Sequence, residues 1–167
     1  AISGSFREAK YAVYDSSDTL ITSGIASQAA SDDHLNVKLI DLGGEKFAID
    51  YQVHDNFPSA AIGRKMRIFD YAGNAVSNDF YFITDGENAR SDSFSLGSDK
   101  VGLIHKHSNN QLKFHILDTS NEVITDTITI RNLSDGVGNH ELVKGASSYY
   151  VTLNDGNESF IAKLDSS

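Results

Sequence analysis

The chain contains no cysteine, which removes disulfide frameworks, thiolate metal sites and thiol nucleophiles together. That absence does not argue for the cytosol, because a chain with a sizeable core has no need of disulfides. Tryptophan is also missing, and proline occurs once, at Pro58. Basic residues are scarce: 14 Lys and Arg stand against 23 Asp and Glu, for a net charge of −9. Phosphate binding draws on clustered Lys and Arg, so a nucleic acid is not an expected partner. No apolar run approaches the ~20 residues of a membrane span, and membrane insertion is not expected. The opening AISGSFREAK has neither the basic nor the apolar stretch of a signal peptide. A start at Ala1 is compatible with a processed protein or an excised domain. Helical periodicity is weak throughout, and no P-loop, dinucleotide fingerprint, metalloprotease helix or nucleophile elbow appears. The chain is therefore expected not to be an enzyme.

What is present is repetition. Aspartates close the apolar segments KYAVYD, KMRIFD, FHILD and FIAKLD, at Asp15, Asp70, Asp118 and Asp165. An apolar hairpin precedes each of the last three, over 37–53, 93–107 and 141–154. These segments alternate with a period of two and are rich in Val, Ile, Thr, Tyr and Phe between Gly, Asn, Asp and Ser turns, the signature of strands. In FAIDYQV, Phe47, Ile49, Tyr51 and Val53 share one face. Each unit of about 50 residues then holds four antiparallel strands, the size and content of a propeller blade.

The expected fold is a single all-β domain over 1–167, with units at roughly 9–34 (partial), 35–90, 91–139 and 140–167 (partial). One blade cannot hide both faces, but blades stacked side by side can. About three repeat lengths are too few for a ring of four to eight blades. Closure would need a homo-oligomer or flanking chain. A β-sandwich or open β solenoid is the alternative architecture.

The block DDHLNVKLIDLGGEKFAIDYQV followed by GRKMRIFDYAGNAVSNDFYFITDGENARSD, within 32–92, resembles a repeat of large secreted bacterial surface proteins of the calcium-rich, adhesin-like kind. Leu42, Gly43, Gly44, Phe47, Ile49, Tyr51, Phe69, Asp70, Gly73 and Val76 carry the likeness, with Tyr51 where the family tends to have Trp. The resemblance implies a propeller-like β repeat exposed outside the cell, usually without a catalytic constellation. A secreted or cell-surface location is expected on that ground.

In such a unit the loops after the second and fourth strands emerge on one rim, and the tight turns emerge on the other. The first rim collects His54, Asp55, Phe57, Asp85, Glu87, Asn88, Arg90 and Asp92. Arg64 is read as part of the long connection HDNFPSAAIGR. Carboxylates, carboxamides and an aromatic on a rigid scaffold suit a hydroxyl-rich ligand, a glycan or other cell-surface ligand, or calcium. No cofactor is required, and calcium is the one ion the rim suits. Asp15, Asp70 and Asp118 are read as turn caps in preference to calcium ligands, because an Asp opening a turn accepts nearby backbone N–H groups. His105 and His107 share a strand face, as two imidazole ligands would. His115 is expected on the other face, across an SNNQ turn, which leaves the pair without a third ligand. The reading is a non-enzymatic binding or adhesion module. A structural or self-associating segment of a larger surface protein is the alternative, followed by an accessory domain of a glycan-degrading enzyme.

Overall fold

The computed structural model describes residues 7–28, 33–54, 61–84, 91–107, 111–132, 137–145, 148–155 and 158–165. Every regular element among them is a strand, as expected of an all-β chain, and the strands form four antiparallel sheets in which sequence neighbours pair. The first sheet holds β1 (Lys10–Tyr14) and β2 (Leu20–Ile25). The second holds β3 (Asp33–Gly43), β4 (Lys46–His54), β5 (Ala61–Asp70) and β6 (Phe80–Ile83). The third holds β7 (Ser91–Gly97), β8 (Lys100–His107), β9 (Gln111–Asp118) and β10 (Val123–Asn132), and the fourth β11 (Val137–Lys144), β12 (Ser148–Asp155) and β13 (Glu158–Asp165).

The same local chemistry builds the second and third sheets. LGGEK and LGSDK each close a two-residue hairpin, with Gly43 opposite Lys46 and Gly97 opposite Lys100. Both central residues are left-handed in each turn, Gly44 and Glu45 at φ 59° and 63°, Ser98 and Asp99 at 51° and 59°. That is the mirror-image turn that suits strand twist. Gly43 and Gly97 precede it at φ 73° and 84°, a conformation that glycine adopts at little cost. The turns after the third strands repeat as well. Asp15 Oδ1 accepts from the Ser17 and Thr19 amides at 2.8 and 2.9 Å. Asp70 Oδ1 accepts from the Asn74 amide at 2.8 Å, and Asp118 Oδ1 from the Ser120 and Asn121 amides at 2.9 and 3.1 Å. One backbone bond then ties the two turns of each sheet together: Tyr71 N–H to the Glu45 carbonyl at 3.0 Å, and Thr119 N–H to the Asp99 carbonyl at 2.8 Å.

The core lies between sheets. Phe47, Ile49, Tyr51, Val53 and Phe69 of the second sheet pack on Ala9, Tyr11, Val13 and Ala26 of the first sheet and its flanks. Ile40, Leu42, Ala48, Met66 and Ile68 of the second pack on Val101, Leu103 and Leu117 of the third. Ile104 and Leu112 of the third pack on Val151, Phe160, Ala162 and Leu164 of the fourth. Each interior sheet is thus covered on both faces, and β4 is buried from Phe47 to His54. Full burial of each such aliphatic or aromatic side chain is worth about 1.5–3 kcal/mol. Among the second, third and fourth sheets, first strands meet, β3 against β7 and β7 against β11.

Two expectations are corrected. Arg64 does not lie in a rim loop: β5 begins at Ala61, and Arg64 is a fully buried strand residue. His115 does not face away from His105. His107 pairs with Gln111, which puts His115 opposite Leu103 rather than Ile104. That one-residue change of register returns His115 to the face of His105, because side chains alternate along a strand.

Candidate functional site

The layer between the second and third sheets is divided along its length. Toward the tight turns it is filled by Ile40, Leu42, Ala48, Ile68, Val101 and Leu117. Toward the connections after the second and fourth strands it holds Asp50, Gln52, His54, Arg64, Ser93, His105 and His115, all buried. Polar residues on a second buried face look, in sequence, like the solvent side of a half-exposed strand.

Asp50 and Arg64 form its centre. The Arg64 Nε and Nη2 groups donate to Asp50 Oδ1 at 2.8 and 2.6 Å, with both side chains essentially inaccessible. Ser93 Oγ, from the next sheet, donates to Asp50 Oδ2 at 2.9 Å. Burial pushes the Asp50 carboxyl above the usual carboxylate range, while Arg64, then Ser93, pull against it. A bulge in β3 between Leu35 and Lys38, with Asn36 left-handed at φ 49°, turns the Asn36 carbonyl to accept from Arg64 Nη2 at 3.2 Å. Bulges re-aim groups in this way. The Asn36 side-chain Nδ2 donates to Gln52 Oε1 at 2.5 Å.

Toward solvent, Lys38 of β3 pairs with Asp92 of β7, again from sheet to sheet. Partial burial lowers the Lys38 ammonium from its ordinary value; the nearby Asp50 carboxylate opposes that shift and the Arg64 charge adds to it. Along the two first strands an open cleft of about 590 Å³ is lined by Lys38, Leu39, Asp41, Ser93, Phe94 and Ser95 among others. Deeper in the third sheet, His115 Nε2 lies 3.1 Å from His105 Nδ1, and His115 Nδ1 lies 2.8 Å from Thr127 Oγ1. Both rings are buried.

Of the residues singled out in sequence, His54 ends β4, buried and opposite Ala61. Asp92 is the second residue of β7 and pairs with Lys38. Asp55, Phe57, Asp85, Glu87, Asn88 and Arg90 lie outside the described residues. Among the described residues no group of three or more His, Asp or Glu is placed to hold a metal ion. Asp50, Ser93 and Lys38 were missed by sequence reasoning, which named Arg64 but placed it in a loop. The one available signal was that Asp50 and Gln52 interrupt the face of β4 that Ala48 begins. Neither models of protein families nor curated protein sequences match the chain.

Proposed function

We propose that the protein is a non-enzymatic extracellular binding module of propeller-like β blades, which takes a glycan or other hydroxyl-rich cell-surface ligand at the rim of long connections. The supporting observation is the segregation of buried ionisable groups. Asp50, Arg64, His54, His105 and His115 all lie in the half of the layer nearest that rim. Burying charge and imidazole costs stability that apolar residues would not, and such groups gather where recognition or chemistry needs fixed polar atoms. The approach of β3, β7 and β11 supports blades arranged about a common axis.

In this reading the Asp50–Arg64–Ser93 network holds the walls rigid. Asp92 and His54 anchor the strand ends, and Asp55, Phe57, Asp85, Glu87, Asn88 and Arg90 bring the carboxylate, carboxamide, guanidinium and aromatic chemistry that such a ligand needs. Oriented polar groups on a rigid scaffold, with an aromatic plane, match sugar hydroxyls and C–H faces. A glycan array probed with the purified chain, with and without a chelator, tests the reading. Binding to a restricted set of saccharides is expected, lost in Asn88→Ala/Arg90→Ala and retained in Ser120→Ala on the opposite rim. Loss on chelation would add calcium to the site. Absence of binding to any saccharide, or equal loss from both rims, would overturn the reading.

A further inference from the structure

The two ends of the stack expose apolar residues, set among polar ones such as Thr152 and Lys163, whose positions the strand register identifies. In the second, third and fourth sheets, Asp70, Asp118 and Asp165 lie opposite Lys46, Lys100 and Ser148. Aligned on these pairs, Ile161 occupies the position of Met66 and Phe114, and Tyr150 that of Ala48 and Gly102. Val143, opposite Tyr150, corresponds to Ile40 opposite Ala48 and Phe94 opposite Gly102. In the interior sheets these positions face the following sheet. Met66 and Ile40 are 0% and 3% exposed against Val101, Leu103 and Leu117, and the Phe94 ring meets Tyr149 at 4.7 Å. Their counterparts Val143, Tyr150 and Ile161 are 48%, 37% and 75% exposed.

The first sheet shows the converse. Tyr14 precedes Asp15 as Phe69, Leu117 and Leu164 precede their aspartates. Those three residues pack on the preceding sheet. Tyr14 is 58% exposed, and Leu20 opposite it is 51% exposed. One end of the stack therefore carries apolar residues at three positions of a following face, beside the exposed Lys163 at the position of Ile68, and the other end carries two exposed apolar residues at positions of a preceding face.

We propose that a second copy of this chain docks head to tail, with the Val143–Tyr150–Ile161 face of one copy covered by the Tyr14–Leu20 face of the next. The contact would continue the inter-sheet packing already present three times within the chain. Tyr150 stands where Ala48 and Gly102 leave room for neighbours, and a tyrosine supplies an aromatic anchor that still tolerates water when the face is free. Such a contact is heterologous, so it generates a closed ring or an open fibre according to the rotation per copy. The inference is independent of the ligand reading.

Sedimentation velocity of the 167-residue chain over a wide concentration range tests it. A dimer or larger species that grows with concentration is expected. Ile161→Asp and Tyr14→Asp should each weaken association by about tenfold or more, equivalent to ~1.4 kcal/mol, with unchanged far-UV spectra. Ile161→Thr, which keeps strand propensity, should give the same trend. Mixing Ile161→Asp with Tyr14→Asp should restore a dimer and nothing larger, since each retains one intact and complementary face. A wild-type monomer at every concentration, variants that associate like wild type, or a mixture that stays monomeric would each overturn the proposal.

Discussion

At the scale of single residues, the buried ion pair and the turn aspartates behave in opposite ways. Asp50 and Arg64 sit where neither charge meets solvent, so each depends on the other. Arg64→Met leaves a buried carboxylate and is expected to cost about 3–5 kcal/mol in chemical denaturation. Asp50→Leu/Arg64→Met should recover most of that loss, and no recovery would show that the network does more than neutralise charge. Asp70, by contrast, is only half-buried and holds a turn. The hydrogen bonds from Asn74, side chain first and then backbone, keep its carboxyl below the usual carboxylate value. A carboxylate with a depressed folded-state value stabilises above the unfolded value of about 3.9 and loses that contribution as the pH falls through the folded value. Asp70→Ala should therefore lower Tm at neutral pH, and the gap to wild type should close at acid pH. A gap independent of pH would remove the charge from the explanation. The capping role was legible in sequence from Asp followed by Gly73 and Asn74. The role of Asp50 was not, because no spacing along β4 shows that an arginine from β5 fills the space beside it.

At the scale of elements, the hairpins were written locally and the registers only partly so. LGGEK and LGSDK specify their turns through left-handed positions, and the structure shows both. The connection 108–110 carries no comparable signal, and a one-residue difference there decided which face His115 occupies. Edges are handled by the strands themselves: β6 is only four residues long, and β10 carries two irregularities in its pairing with β9. Short or bulged edge strands discourage pairing with other chains. Gly63 shows how tightly the β5–β6 edge is drawn, since a Cβ there would lie 2.3 Å from the Ile83 carbonyl oxygen. Gly63→Ala is expected to cost about 1–3 kcal/mol, the usual range for overpacking. It should release β6 first, which is readable as faster amide exchange at Ile83 and Tyr81 with β4 unchanged. Uniform acceleration across the second sheet would contradict that local account.

At the scale of the whole molecule, stability is shared among layers, each made by two successive sheets. Such an arrangement follows nearest-neighbour energetics, in which a lesion in one layer spares the distant ones. Val151 is fully buried between the third and fourth sheets. Val151→Asp should open the fourth sheet while amides of β4 and β5, in the layers around the second sheet, keep their protection. Simultaneous loss of protection in all sheets would show one indivisible core instead.

The amino-acid order by itself determined that the chain is all-β, where most hairpins turn, and that a unit recurs about an aspartate-capped turn. These depend on short-range sterics, on positive φ at glycine and a few polar residues, and on alternation along a strand. Only the tertiary structure decided that Asp50, Arg64 and Ser93 meet between two of the interior sheets, and that His115 faces His105. Those outcomes depend on which sheet lies against which and on the register of each strand. Both are set by the filling of space between segments distant in the chain, which no local pattern encodes.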